Sequence, residues 1–414
     1  MNDATLRQVS EFLKRVEGAT YPRAVLRDII DSFAKTERRV ALEETQRALG
    51  EALEAFRRPL ILGQYTWLQV CVLSRAAVVL GDKKILEQIQ TAGIASCAWL
   101  TDSIENRARA RAAWIAFIDT FLLLKGAEEA KKFAFSVREK FPRPLLFFRI
   151  ATDTRDVEYL KTGMGYLNSF VQGMDGANKS AALAELLCEA VRTEVLLGRS
   201  DMANTTESDP VLSRFPSVHL EVLRHIIGSK PDEGIIRRMR SLVNGVPEED
   251  KKERLLLSCM VADAISSVSD RYERYASELF VALNMMISSV SESSSEFNRH
   301  YYHLARAFWN NENCAKAYCL AERVVDSDLR GELGQLFIKD LVEKKLFNDA
   351  RGALMLFANN DVARVEALCV TASAGGSQRF LKEAMHIAHS VSDPCGKIHA
   401  FCAVLECLQS KKAE

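Results

Sequence analysis

The chain shows a helical pattern of apolar and polar positions almost throughout. Apolar residues recur every three or four positions, the spacing that keeps them on one face of an α-helix. Pro22 opens the second of these helices, and the first carries its apolar stripe at Leu6, Val9, Phe12, Leu13 and Val16. Short breaks rich in glycine, proline and polar residues separate the segments, and the sequence shows no run of alternating β-branched residues. The pattern predicts an all-α protein of about twenty helices joined by short turns.

One stretch interrupts the periodicity most clearly. Residues 199–217 combine Ser, Asn, Thr and Asp with two prolines, Pro210 and Pro216, a composition typical of loops. We predict a long loop or joint at 199–217. It would divide the chain into an N-terminal helical region, 1–198, and a C-terminal helical repeat region, 218–414.

The last third of the chain contains a repeat. Helix pairs recur with an alanine near the start of the second helix, at spacings of 33 and 34 residues, namely Ala317, Ala350 and Ala384. The polar links between pairs carry a basic residue at spacings of 34 and 33, namely Arg330, Arg364 and Lys397. Two antiparallel helices of this length cannot bury their own apolar face, so neighbouring units must stack. The repeat predicts an elongated α-solenoid of stacked helix pairs.

The units resemble the tetratricopeptide family, most clearly at 298–397 and 111–142. That family places an aromatic, an aliphatic, a small and a second aromatic residue along the first helix, followed by alanines in the second. The matching residues are Tyr301, Leu304, Ala305, Phe308, Ala317 and Ala321 in one unit, and Trp114, Phe117, Phe121 and Ala130 in the other. The chain departs from the family where Ile118 replaces a small residue and where the last units lack a closing proline.

The resemblance implies a concave groove that binds a protein or peptide. Such a groove is lined by the first-helix residues that do not face the second helix. The residues at these positions are Arg299, Tyr302, Arg306, Trp309 and Asn310, then Glu332, Gln335, Lys339 and Glu343 in the next unit. Tyr, Trp and Arg dominate binding hot spots. A second interpretation of Trp309 is that it ends its helix and packs beneath the following loop.

Charge and composition disfavour several classes of partner. The 55 basic residues balance 55 acidic ones, so the chain as a whole has no attraction for nucleic acid or an anionic membrane. We interpret the basic runs at 107–111 and 237–240 as solvated helix faces. The apolar run 59–74 is shorter than the ~20 residues that a membrane-spanning helix needs, and we expect no membrane insertion. Ten dispersed cysteines favour reduced thiols in the cytoplasm, with export by a non-Sec route left open.

Motifs that carry chemistry are sparse. Two sets of residues that commonly bind metals occur at helical spacing, namely His386 and His389 on one helix and Cys395, His399 and Cys402 on the next. On a helical wheel the two sets point in different directions. We therefore expect no bound metal or cofactor. The sequence contains no nucleophile elbow, zinc-protease motif or phosphate loop.

These observations predict a non-enzymatic scaffold or adaptor. One alternative is an enzyme or secreted effector with a catalytic region in the N-terminal half. Convergent Asp, Glu or His side chains in a pocket would favour that alternative. Another is a structural subunit of a larger assembly.

The repeat alanines generate a first prediction. Replacing Ala317, Ala350 or Ala384 with Leu is expected to lower the free energy of unfolding by about 1–3 kcal/mol, because the added atoms overpack the helix crossing. Urea denaturation of each variant measures the change. Changes below about 0.5 kcal/mol at all three positions, typical of surface sites, would contradict the packing role.

Overall fold

The protein is described by a computed structural model over residues 23–57, 65–94, 104–137, 141–171, 177–268, 297–357, 360–375 and 378–410. These ranges contain nineteen α-helices. Strand-like bonding within them is limited to one isolated bridge between Tyr65 and Ile94. The all-α prediction is therefore confirmed. The predicted stripe from Leu6 to Val16 lies outside the described residues.

The helices are numbered here in chain order. They are α1 (Arg23–Phe56), α2 (Trp67–Leu80), α3 (Lys83–Ala92), α4 (Ile104–Lys125), α5 (Ala127–Ser136), α6 (Pro142–Thr154), α7 (Val157–Val171), α8 (Ala177–Leu196), α9 (Ser200–Glu207), α10 (Pro216–Ser229), α11 (Glu233–Asn244), α12 (Lys251–Ser266), α13 (Asn298–Asn310), α14 (Cys314–Arg323), α15 (Ser327–Glu343), α16 (Phe347–Ala353), α17 (Asp361–Ser373), α18 (Gln378–Ser390) and α19 (Pro394–Ser410). Two short 3₁₀ segments, Leu212–Arg214 and Leu354–Phe357, complete the described elements.

Polar residues in the breaks begin and end these helices. Thr66 and Gln69 form a reciprocal capping box at the start of α2, which satisfies backbone N–H groups that have no partner within the helix. Gly81 ends α2 with a positive φ of 65°, a conformation that favours glycine. Asp82 then caps α3 by accepting a hydrogen bond from the Lys84 N–H. The sharp turn between the two helices thus follows from local chemistry.

The helices form pairs that stack side by side. The first helices of the pairs are α2, α4, α6, α8, α10, α12, α13, α15, α17 and α19, and each packs against the next. The second helices are α3, α5, α7, α9, α11, α14, α16 and α18, and each packs against its own first helix. This arrangement is the predicted solenoid of stacked helix pairs.

The stack closes into a ring. The last first helix, α19, packs against α2, and α1 packs against α19 in the place of its second helix. Gln409 donates a hydrogen bond to the Val79 carbonyl over 3.0 Å, and Arg38 donates to the Leu408 carbonyl over 3.1 Å. The prediction that the solenoid is elongated is therefore wrong, because the repeat pattern defines contacts between neighbours but not the curvature that they accumulate.

An ion-pair cluster holds the seam between α2 and α19. The Arg75 guanidinium donates two hydrogen bonds to the Glu406 carboxylate, both over 3.0 Å, and a third to Glu366 of α17. His399 Nδ1 lies 3.3 Å from the same guanidinium. Since bidentate pairs constrain both distance and orientation, this cluster sets the register of the two ends of the stack.

Residues 199–217 do not form the long loop that we predicted. They contain α9, a 3₁₀ segment and the start of α10. The helices on either side, α8 and α10, pack directly against each other. Polar composition was a poor guide here because the second helix of this pair is only eight residues long, too short to show a clear apolar period.

Small residues permit the close packing between helices. The repeat alanines Ala317, Ala350 and Ala384 are fully buried. Gly334 of α15 lies directly beneath the Phe357 ring, and a Cβ there would overlap the ring. Close approach, and not backbone freedom, therefore requires the glycine at this position.

The seam generates a second prediction. A double-mutant cycle with Arg75→Ala and Glu406→Ala is expected to give a coupling energy of about 1–2 kcal/mol, kept modest because Glu406 is partly solvated. Thermal unfolding measures it, and added salt should reduce it. The exposed pair Lys132–Glu129 is the control, and its coupling energy should be much smaller because solvent screens both charges. Equal coupling for the two pairs would contradict the role of Arg75 in closing the ring.

Candidate functional site: the inner face of the ring

Each first helix leaves one stripe uncovered. Its two flanks contact neighbouring first helices and its back contacts a second helix, so the remaining stripe points toward the centre of the ring. We call these stripes together the inner face. Its members include Leu68, Arg75, Val78, Asp119, Leu123, Arg149, Arg192, Glu221, Arg224, Arg299, Tyr302, Arg306, Asn310, Glu332, Gln335, Lys339, Glu366, Val370, His399 and Glu406.

The structure places most of the predicted binding residues on this face. Arg299 and Asn310 are exposed on α13, and Tyr302 and Arg306 are half-buried between them. On α15, Lys339 is exposed, and the same holds for Glu332, Gln335 and Glu343. The spacing argument therefore identified one continuous surface across two adjacent helices. Whether these residues bind a partner stays a prediction.

Trp309 does not belong to this surface. Its side chain is 6% exposed and its ring stacks on Phe337 with centroids 4.0 Å apart. The Tyr318 ring lies nearly perpendicular to the indole, with the two ring centroids 5.7 Å apart. The predicted groove contact is therefore wrong, because the indole faces α14 and α15 in the core and a buried side chain cannot meet a partner.

A buried carboxylate lies behind the predicted residues. Asp263 of α12 is fully buried, and its Oδ2 lies 2.9 Å from His303 Nδ1. The guanidinium groups of Arg306 and Arg224 lie 3.6 and 3.9 Å from the same oxygen. The other oxygen, Oδ1, has no hydrogen-bond partner among the described residues. One acidic group thus joins α10, α12 and α13.

The charge state of this cluster follows from its surroundings. Burial alone would raise the pKa of Asp263, but the hydrogen bond with His303 and the charges of Arg306 and Arg224 lower the pKa below its usual value. Burial raises the pKa of Tyr302 to about 12, so its hydroxyl stays protonated and donates to Glu332 over 3.0 Å. The hydroxyl therefore links α13 to α15 as a neutral donor.

A second set of ion pairs joins α4, α6 and α8. Arg149 of α6 makes two hydrogen bonds to Asp119 of α4, over 3.0 and 2.7 Å. Arg107 of α4 donates to Glu185 of α8 over 3.0 Å. Our interpretation of the basic run 107–111 as a solvated face is wrong for Arg107, which is 3% exposed. Its partner is 78 residues away in the sequence, so local spacing gave no signal of it.

A polar cleft lies outside the inner face. Glu207 of α9 is 5% exposed, and its two oxygens bind His219 Nε2 and Arg238 Nη1, each over 2.6 Å. The cleft has a volume of about 480 Å³ and also includes Asp250 and Glu253. Such convergent acids and imidazole are the feature that would favour an enzyme. The lining of the cleft falls within residues 207–253, outside the N-terminal half where the alternative prediction of an enzyme placed its catalytic region.

Burial would raise the pKa of Glu207, but His219 and Arg238 lower the pKa below its usual value. The carboxylate is therefore charged and already fully engaged. A free general base would need an unengaged oxygen that faces a substrate.

The histidine and cysteine sets of the C-terminal helices lie apart. Cys395 and Cys402 are buried in the core, and His399 contacts Arg75. His386 and His389 are exposed on α18. Within the described ranges, no three His, Cys, Asp or Glu side chains converge as a metal site. The nine cysteines in these ranges form no disulfide bond with one another.

The chain matches no protein family and no curated protein. Among solved structures it is similar to a circular tandem repeat protein with novel repeat topology and enhanced subunit contact surfaces, at 15% identity over 99% of this chain and 95% of that chain, with a TM-score of 0.18. A TM-score this low supports no conclusion about the fold or function of this chain. The ring is defined by contacts within this chain. Among its described residues, no helix has the length and apolar character needed to cross a membrane.

The Asp263 cluster generates a third prediction. Asp263→Asn is expected to cost about 3 kcal/mol at pH 7, because it removes the shared anion from a buried network. The lowered pKa means that the carboxylate stabilises the fold above about pH 4 and loses this contribution as the pH falls through its folded pKa.

The stability difference between the two proteins should therefore narrow at pH 3, as measured by urea denaturation at both pH values. Asp153→Asn on the exposed end of α6 is the control. A difference that is independent of pH would contradict a charged Asp263.

Proposed function

We propose that the protein is a non-enzymatic scaffold that binds a protein or peptide partner on the inner face of its ring. The observation that carries this proposal is a stripe on α13 that continues onto α15 at the exposed Lys339. On α13 it consists of the exposed Arg299 and Asn310 and the half-buried Tyr302 and Arg306. Aromatic and guanidinium groups of this kind supply most of the binding energy in protein interfaces. The ion pairs behind them hold these groups in place before a partner arrives, which lowers the entropic cost of binding.

The dimensions of the ring suit a chain-like partner. The ten first helices that the structure describes, packed about 9 Å apart in a ring, leave an opening of roughly 18 Å once their side chains are counted. A single helix is about 10–12 Å in diameter. The opening therefore admits one helix or an extended peptide but excludes a folded domain, which would have to bind at the rim.

The proposal includes a tetratricopeptide-like origin of the repeat. The period of 33–34 residues and the buried Ala317, Ala350 and Ala384 support it. Reduced thiols agree with a cytoplasmic location, which is part of the same proposal.

A fourth prediction tests the inner face. The full chain, tagged and incubated with its native lysate, identifies partners by mass spectrometry. The double variant Arg299→Ala, Lys339→Ala is then expected to weaken capture at least about tenfold while its melting temperature stays unchanged, since both side chains are exposed and surface changes have little effect on stability.

The matched control carries the same loss of charge on second helices, Lys84→Ala and Arg237→Ala. It should retain full capture. Equal capture by all three proteins would show that the partner binds elsewhere.

The cleft at Glu207 favours enzyme activity as the second candidate function. His219 Nδ1 in this cleft is buried without a hydrogen-bond partner among the described residues. Glu207→Gln would separate the two functions. If this variant loses catalytic turnover but still captures the partner, the result would support catalysis at the cleft. If both its turnover and its partner capture are unchanged, the result would favour the scaffold function.

A further inference from the structure

Exposed apolar side chains gather on one part of the inner face. They belong to α2, α4 and α17, and we call them the apolar sector: Leu68, Val78, Leu123 and Val370. Leu68 is 57% exposed and Leu123 is 69% exposed, so a partner has much of their surface left to cover. Exposed apolar patches of this kind mark interaction sites on folded proteins.

The charges beside the apolar sector already have partners. Arg75 binds Glu406 and Glu366, and Arg149 binds Asp119 over 3.0 and 2.7 Å. These pairs make this part of the inner face close to electrically neutral. It therefore offers a partner apolar contact area more than charge.

Guanidinium groups gather on another part of the inner face. They belong to α8, α10 and α13, and we call them the arginine sector: Arg192, Arg224, Arg299 and Arg306. Two of the acids that pair with them lie deeper, since Glu189 is 9% exposed and Asp263 is fully buried. The Arg192 side chain, by contrast, is 44% exposed. The half-buried Glu221 offsets one of the four charges, and the surface that a partner meets here is basic.

The two sectors face each other across the opening. Neighbouring first helices follow the order α2, α4, α6, α8, α10, α12, α13, α15, α17 and α19, and α19 packs on α2. Counted around these ten described helices, α10 stands five places from α19, and α12 stands five places from α2. The apolar sector is centred on α19 and α2, and the arginine sector is centred on α10 and α12. The opening is therefore apolar on one side and basic on the other.

Both sectors extend through the depth of the ring. The last turns of neighbouring first helices meet, because Gln409 donates to the Val79 carbonyl over 3.0 Å and Asn310 donates to Ser266 over 3.2 Å. These helices therefore run in the same direction. Leu68 and Arg299 are each the second residue of their helix. The other six members lie two to five residues before the end of theirs, about 3–8 Å along the axis, so apolar and basic side chains oppose each other at both levels.

We propose that the opening binds a single amphipathic helix, with its apolar side on the apolar sector and an acidic side toward the arginine sector. This inference rests on the proposed function, because it names the kind of partner that the inner face takes. An amphipathic helix buries its apolar side in an apolar groove, and carboxylates on its other side pair with the arginines. A helix with a basic polar side would instead bring like charges together.

The width of the opening agrees with this occupant. A helix about 10–12 Å in diameter leaves about 6–8 Å of an opening roughly 18 Å wide. When its apolar side packs on the apolar sector, its acidic side lies that far from the arginine sector. This distance does not exceed the Debye length of about 8 Å at physiological salt, so the arginines still attract the carboxylates. Two helices side by side would need about 20–24 Å and do not fit.

Designed peptides test the proposal with the full chain. Each has about eighteen residues and is about 27 Å long as a helix, similar to the first helices, which have 13 to 22 residues. The acidic peptide places Leu on one side and Glu on the other. The basic peptide replaces every Glu with Lys, and the scrambled peptide mixes Leu and Glu on all sides. A hydrocarbon staple keeps all three helical.

Fluorescence anisotropy of the labelled peptides measures binding. We expect the acidic peptide to bind at least about tenfold more tightly than the other two, and added salt to weaken this binding. Equal binding of the basic peptide would contradict the role of the arginine sector. Equal binding of the scrambled peptide would contradict the role of the apolar sector, and failure of the acidic peptide to bind would overturn the proposal outright.

Two pairs of substitutions locate the site. Arg192→Ala with Arg299→Ala, and separately Leu68→Ser with Leu123→Ser, are each expected to weaken binding of the acidic peptide about fivefold or more. The melting temperature should stay unchanged, since all four side chains are exposed. Unchanged affinity in both variants would place the peptide elsewhere and overturn the proposal.

Matched controls change exposed residues away from the inner face. Arg237→Ala with Arg351→Ala on second helices removes two guanidinium groups, and Val325→Ser with Met355→Ser removes two apolar side chains that are 53% and 75% exposed. Both controls should bind the acidic peptide as the unchanged protein does. A loss as large as that of the inner-face variants would contradict the proposed site.

The peptide test and the capture test fail separately. If the acidic peptide does not bind but Arg299→Ala with Lys339→Ala still loses its partner, the helical partner is rejected and the scaffold function stands. Capture that is unchanged in that variant would instead count against the proposed function itself.

Discussion

Closure of the ring depends on a contact between the two ends of the helix stack. Neighbouring pairs are joined by short turns, so most interfaces form between segments that are already close in the chain. No short turn joins α2 to α19, because more than 300 residues separate Arg75 from Glu406. The bidentate pair supplies the orientation that a turn supplies elsewhere, while burial of the surrounding apolar residues supplies the larger part of the free energy.

The same principle recurs around the ring. Asp263 joins three helices, Arg149 joins α6 to α4, and Arg107 joins α4 to α8. Pairs of this kind contribute little net stability after desolvation. They do fix which helices pack together and in which register along their axes. They also leave guanidinium and phenol groups held in place at the edge of the opening. In the proposed scaffold, these fixed side chains form the surface that recognises a partner.

The inner face and the groove between α1 and α18 differ in chemistry. The inner face carries mainly charged and polar side chains, several of them paired within the ring, and also the exposed apolar side chains Leu68, Val78, Leu123 and Val370. The groove between α1 and α18 is apolar around Val40, Leu381 and Met385. An exposed apolar surface on a folded chain invites association.

The sequence by itself determined the helical class, the period of the repeat and the buried alanines, because each depends on spacing within about forty residues. It also located Arg299, Tyr302 and Arg306 on one face, since a helical wheel is a local property. Only the tertiary structure decided that Trp309 is buried, that Arg107 has a distant partner and that the array closes. Those outcomes depend on contacts between residues far apart in the chain and on small rotations between pairs that add up over the whole ring, and neither leaves a periodic signal in the sequence.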